Sequence, residues 1–228
     1  GDSDWKNFPY DGSTARTHYS QSDCFADRAI LLDAQVGWEF PLAGWITLRP
    51  FLAFDYMDFK WTGRDGYLQY PPTSETHPPY TPWSAGETKL PVSGVSVIYQ
   101  QTWFIPVIGL ESKLRLGEDF SGSVSLAFSP LVYCNDLDDH VLASTDFYDD
   151  TWGGFMLEPK VSLDWHVTAR DRLSLAVSFR HIQGLVGTTY LVATGAPATP
   201  GLVYSTLKNA AGTSFDALDA SLSFTWIL

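Results

Sequence analysis

The sequence predicts an all-β fold, an antiparallel β-barrel that crosses a membrane with its strands. Three observations predict it. Apolar residues recur at every second position through most of the chain; the polar face of each such run carries charges of both signs; and short turns alternate with long polar connections.

Seven runs show the alternation. From Ile30 to Phe40, the apolar positions Ile30, Leu32, Ala34, Val36, Trp38 and Phe40 flank Asp33, Gln35, Gly37 and Glu39. After a turn at 41–44, Ile46, Leu48, Leu52, Phe54 and Tyr56 oppose Thr47, Arg49, Ala53 and Asp55. Phe104 to Leu116 sets Ile108, Leu110, Leu114 and Leu116 against Gly109, Glu111, Lys113 and Arg115. A turn at 117–120 leads to Val124, Leu126, Phe128 and Val132, interleaved with small polar residues. Phe155 to Val167 places Leu157, Val161, Leu163 and Trp165 against Glu158, Lys160 and Asp164. A turn at 168–171 precedes Leu173, Leu175, Val177 and Phe179, and the last run carries Leu218, Leu222, Phe224 and Trp226.

A soluble β-sandwich alternates in the same way. The charges decide against it: one face of each run is nearly charge-free over about ten residues, the height of an apolar band ~25 Å tall, while Arg49, Asp55, Glu111, Lys113, Glu158 and Arg180 line the other. Aromatic content is 15%, enough for girdles at both lipid interfaces. No apolar run approaches the ~20 residues of a transmembrane helix. The expected domain is a single barrel over 1–228. Bacterial single-chain barrels usually have an even strand count, so seven strands and a polar opening at Gly1 with no signal peptide predict a processed or truncated chain lacking N-terminal strands.

Net charge is −12, which excludes nucleic acid as the natural partner and suits a cationic ligand. Cys24 and Cys134 define no disulfide framework and read as two unrelated thiols, although an oxidising compartment would let them pair.

The predicted long connections are 1–28, 62–92, 135–154 and 184–213, and two of them hold dense titratable clusters. One is Asp2-Ser3-Asp4-Trp5; the other is Asp136-Leu137-Asp138-Asp139-His140. Asp2 and Asp4 are two apart, so an extended backbone puts them on one face, where like charges raise one pKa and let the pair hold a proton or a water. Asp138 and His140 share a face in the same way, and a carboxylate beside an imidazole is general-base architecture. Solvated acidic loops are the bland alternative. A divalent metal is another, although no second His or Cys stands nearby at ligand spacing.

These residues resemble the omptin family of outer-membrane proteases. The resemblance rests on Asp2-Ser3-Asp4-Trp5, His18, Asp136-Leu137-Asp138-Asp139-His140, and the strand and turn Ile105-Pro106-Val107-Ile108-Gly109-Leu110 to Gly117-Glu118-Asp119-Phe120. It implies a ten-stranded barrel in the bacterial outer membrane, with three strands and the first loop absent from this chain and the site facing the extracellular side. It implies that Asp2 and Asp4 form an aspartate couple, that Asp138 and His140 form a dyad, and that a water between them attacks the peptide carbonyl without a covalent intermediate. It further implies that Asp136 receives a basic side chain before the scissile bond, that substrates are peptides or proteins with basic residues, and that no cofactor is needed beyond lipopolysaccharide as an activator. Phe54, Tyr56 and Asp58 depart from the family's lipopolysaccharide motif, with Arg115 as one remaining basic position, and Leu228 replaces the usual C-terminal aromatic. The alternative reading is a non-catalytic barrel, an adhesin or structural protein.

Overall fold

A computed structural model of the chain describes residues 2–7, 16–69, 83–168, 170–194 and 203–226; of 2–7, 16–18 and 204 it describes the backbone alone. The described residues form one antiparallel sheet of eleven strands: β1 (Asp2–Asn7), β2 (Arg16–Gly37), β3 (Phe40–Ala43), β4 (Ile46–Gln69), β5 (Leu90–Pro91), β6 (Val95–Arg115), β7 (Phe120–Ser129), β8 (Val132–His140), β9 (Thr145–His166), β10 (Asp171–Ala193) and β11 (Val203–Trp226). The ladder runs β1-β2-β4-β6-β7-β9-β10-β11, with β3 and β5 on β4, and β8 between β6 and β9. Seven long ribbons cross the band, and they are the seven predicted runs. β2 continues into β3, and β7 into β8 past Pro130, which has no N–H to give the ladder. β1 and β5 are short additions beyond the band.

The apolar face points outward. Leu32, Val36, Leu52, Ile108, Val124, Val161, Leu175 and Leu222 are all exposed, as lipid-facing residues must be. Aromatic side chains gather at both ends of that face. At the turn end Phe120 stacks on Trp165, and at the other end Phe104 packs against Phe54, Tyr56 and Tyr133, with Trp152 beyond. Phe155 and Trp165 on β9 are ten residues apart. That is about 33 Å of strand and, at the ~40° tilt usual for such barrels, about 25 Å across the bilayer.

The sheet curls until its inner face meets itself. Arg180 of β10 reaches Asp55 of β4 at 2.6 Å, although β6, β7/β8 and β9 lie between them in the ladder. Phe215 of β11 stacks on Phe59 of β4 and packs against Trp103 of β6. Among the described residues β1 pairs only with β2, and β11 only with β10.

Two expectations need correction. The connections predicted as long loops are largely strand. β2, β4, β8, β9, β10 and β11 continue well past the apolar band, so Arg16–Arg28, 62–69, 135–140, 145–154, 184–193 and 203–213 are ladder. Out there water wets both faces, so the apolar/polar alternation fades while backbone pairing goes on. The inner face is also not polar throughout. Phe51, Met57, Trp103, Ile105, Val107 and Met156 belong to a buried apolar layer inside the barrel. Phe51 and Val107 line the charged cavity on the turn side, while Met57, Trp103 and Met156 form a septum between the charges and the cleft. Gly109 makes room for Phe51: a Cβ there would meet the ring of this cross-strand partner at 2.1 Å.

On the turn side, Arg180 also binds Glu158 at 2.5 Å, and Arg49 binds Glu111 and Gln35, both at 3.1 Å. A cavity of about 490 Å³ lies among these charges.

Candidate active site

The cleft above the septum is built mainly by β6, β8 and β9. Asp136, Asp138 and His140 occupy alternate positions of β8 and share its inner face. A 3-10 turn at Val141–Ala143, with Ser144 in the left-handed region, returns the chain into β9. That turn sets the register: His140 faces Thr145, Asp138 faces Phe147, and Asp136 faces Asp149. On the other side of β8, Asp138 faces Tyr99 and Asp136 faces Gln101 of β6.

Asp138 and His140 meet on the face that their spacing predicts they share. His140 Nε2 and Asp138 Oδ2 are 2.8 Å apart, both half-buried, and the ring of Phe147 lies 4.9 Å from the imidazole. The carboxylate fixes the tautomer and orientation of the ring and stabilises its protonated form. Asp138 Oδ1 is buried without a hydrogen-bond partner.

Asp136 is 4% exposed. The Tyr99 hydroxyl donates to its Oδ2 at 3.1 Å; Gln101 Nε2 donates to Tyr99 at 3.0 Å and to Thr213 Oγ1 of β11 at 3.2 Å. Burial, then the charge of Asp149, pushes the Asp136 carboxyl up to about 7. Burial and the charge of Asp136 also raise the Tyr99 hydroxyl, which keeps it a donor. Asp139 belongs elsewhere. Odd in number, it lies on the opposite face of β8, opposite Asp146, and burial with that neighbouring charge raises its pKa.

The side chains of Asp2, Asp4 and His18 lie outside the described residues. Their backbone is strand: Asp2 is in register with Ser22, Asp4 with Ser20, and Lys6 with His18. Cys24 is exposed and Cys134 buried, and no disulfide joins them. Arg115 ends β6 at its turn, donating to the Gly117 carbonyl at 3.3 Å. Tyr56 pairs with Phe104, so Arg115 is roughly 35 Å of strand away from it and cannot join it in one lipid site. The basic residue beside Tyr56 and Asp58 is instead Arg28, 2.9 Å from Asp58.

The family model that describes omptins matches residues 1–228, the whole chain. The chain belongs to the omptin family. Among solved structures it is similar to the outer-membrane protease OmpT from Escherichia coli, with a TM-score of 0.79 at 16% identity, covering 98% of this chain and 72% of that one. No curated protein sequence matches it. The resemblance read from the sequence is thereby established at the level of family and fold: this omptin is a β-barrel of the bacterial outer membrane, from a family of proteases.

Three residues of this omptin's cleft were not singled out by sequence reading. Tyr99 and Gln101 sit in the stretch before the third run, where alternation had faded. Asp149 lay in an acidic stretch with nothing to distinguish it from Asp146 and Asp150. A tight turn placed at 141–144 is the signal that finds it, because that turn alone pairs 149 with 136.

Proposed function

We propose that the chain is an endopeptidase of the aspartic type that hydrolyses peptide bonds next to basic residues, with its cleft open to the outside of the cell. The observation that carries this is the 2.8 Å contact between Asp138 and His140, made two positions from the buried Asp136 on the same face of β8. His140 takes the proton of an attacking water, and Asp138 holds the ring and stabilises the imidazolium. Asp2 and Asp4 share one proton, hold that water, and donate a hydrogen bond to the oxyanion as it forms. When the C–N bond breaks, His140 returns the proton to the leaving amine, so no covalent enzyme intermediate forms. Asp136 receives a basic side chain, because a buried carboxylate paired with a cation makes a strong charge-assisted bond. The partners are peptides or proteins bearing basic residues, together with outer-membrane lipid, and lipopolysaccharide acts as activator rather than as a cofactor in the chemistry.

The test is cleavage of a quenched peptide with adjacent basic residues by protein refolded in lipid, with and without lipopolysaccharide. Cleavage abolished by His140→Ala and indifferent to chelators is expected. No cleavage, or cleavage unchanged by His140→Ala, overturns the proposal and favours a non-catalytic barrel; loss on chelation favours a metal mechanism.

A further inference from the structure

The register and burial of the cleft carry one step more, which rests on the peptidase reading above. We propose that Asp149 is a second carboxylate of the pocket headed by Asp136, and that the two together select a guanidinium over an ammonium at the substrate position before the scissile bond.

Asp136 and Asp149 are directly opposed on β8 and β9, so they share the cleft face with Cβ atoms roughly 5 Å apart. Like charges so placed repel, and the ladder carries that cost with no cation of its own to offset it. The strand segments around the pair, 95–112, 132–140, 145–159 and 181–193, contain no lysine or arginine.

The hydrogen bonds of Asp149 are incomplete. Thr189, its neighbour on β10, binds the carboxylate, yet Oδ1 is buried with no partner. Asp138 Oδ1 is in the same condition two positions from Asp136. A bare buried carboxylate oxygen is costly and uncommon, and it points to a donor that arrives with a ligand.

The shape of the pair favours one cation. A guanidinium is a planar fork of five N–H donors able to bridge two carboxylates on adjacent strands, whereas an ammonium is a compact point charge with three donors. Trp61 packs its ring 4.8 Å from Tyr99 beside the pocket, a wall on which a flat cation stacks better than a round one.

The experiment compares two quenched peptides that differ only in Arg or Lys before the scissile bond. They are cleaved by the wild type, Asp149→Asn, Asp149→Glu and His140→Ala in the same lipid. Wild-type kcat/KM is expected to favour Arg by about tenfold or more, as one additional charge-assisted bond provides. Asp149→Asn is expected to lower kcat/KM for Arg by about 10–100-fold, mostly through KM, and to bring the Arg/Lys ratio near one. Asp149→Glu, which restores the charge, retains the Arg preference and shows that loss in the Asn variant is not a folding defect. An unchanged Arg/Lys ratio in Asp149→Asn overturns this inference and leaves the peptidase reading standing, provided the wild type cleaves and His140→Ala does not. Absence of wild-type cleavage overturns both.

Discussion

His140 and Asp138 sit on alternate positions of one strand with 2.8 Å between Nε2 and Oδ2, and Phe147 from the neighbouring strand closes one side of the imidazole. The pair is therefore held by backbone regularity rather than by a loop. Asp138→Asn keeps the size of the side chain and removes the charge that stabilises an imidazolium. It is expected to lower kcat by about 10²–10⁴-fold with KM changed little, the range for loss of general-base support. Steady-state kinetics on a basic peptide in lipid checks this, and an intact circular-dichroism β signal shows that the barrel persists.

Asp136 makes binding depend on pH. Its carboxyl is pushed to about 7 by burial and by Asp149, so below that pH it is largely the neutral acid and a poor partner for a cation. KM for a basic peptide is expected to fall as pH rises from 6 to 8, and Asp136→Asn is expected to weaken binding and flatten the profile. Stability runs the other way. The folded pKa lies above the unfolded value, so between about 4 and 7 the folded chain holds a proton that the unfolded chain has lost. The contribution to stability is fully present below the unfolded pKa and is lost as pH rises through 7. Asp136→Asn should therefore resist urea better than the wild type at pH 8 and show less advantage at pH 5, a gain in stability at the expense of function.

Gly109 is fixed by the Phe51 ring rather than by backbone conformation. A methyl group at 109 would overlap that ring, so Gly109→Ala is expected to destabilise the barrel by about 1–3 kcal/mol, the usual cost of overpacking. In a Phe51→Ala background the same change should cost little. Urea unfolding from lipid vesicles, followed by tryptophan fluorescence, gives the four stabilities of this double-mutant cycle.

The band of the barrel was legible because its two faces meet different solvents. Leu52 and Val161 look at lipid, Arg49 and Lys160 belong to the lining of a charged cavity, and that contrast is a period of two in the sequence. Beyond the band both faces meet water, so residues 145–154 lost the pattern although β9 continues through them. The septum was legible in principle: Trp103 to Leu110 is almost continuously apolar, which is how a strand buried on both faces reads. In the cleft, the Asp138–His140 pair followed from spacing along one strand. The Asp136–Asp149 pair depends on register between two strands, and the turn that fixes that register was hidden inside an expected loop.

The lumen charges around Arg180 form a different kind of network from those in the cleft, because a cation is built into it. Arg180 holds Asp55 at 2.6 Å and Glu158 at 2.5 Å, and its remaining nitrogen approaches Met57 Sδ at 3.3 Å. Asp55 is 5% exposed, so removing the guanidinium would strand it as an uncompensated buried charge. Arg180→Met is expected to cost about 3–5 kcal/mol, well above the ~1 kcal/mol of a surface pair. Adding Asp55→Asn to Arg180→Met removes the orphaned charge and should recover part of the loss, which a simple packing defect would not allow. Because the apolar septum stands between this network and the cleft, Arg180→Met is also expected to leave KM for a basic peptide unchanged in whatever fraction folds. Urea unfolding of the single and double variants, run beside active-site kinetics, separates the two effects.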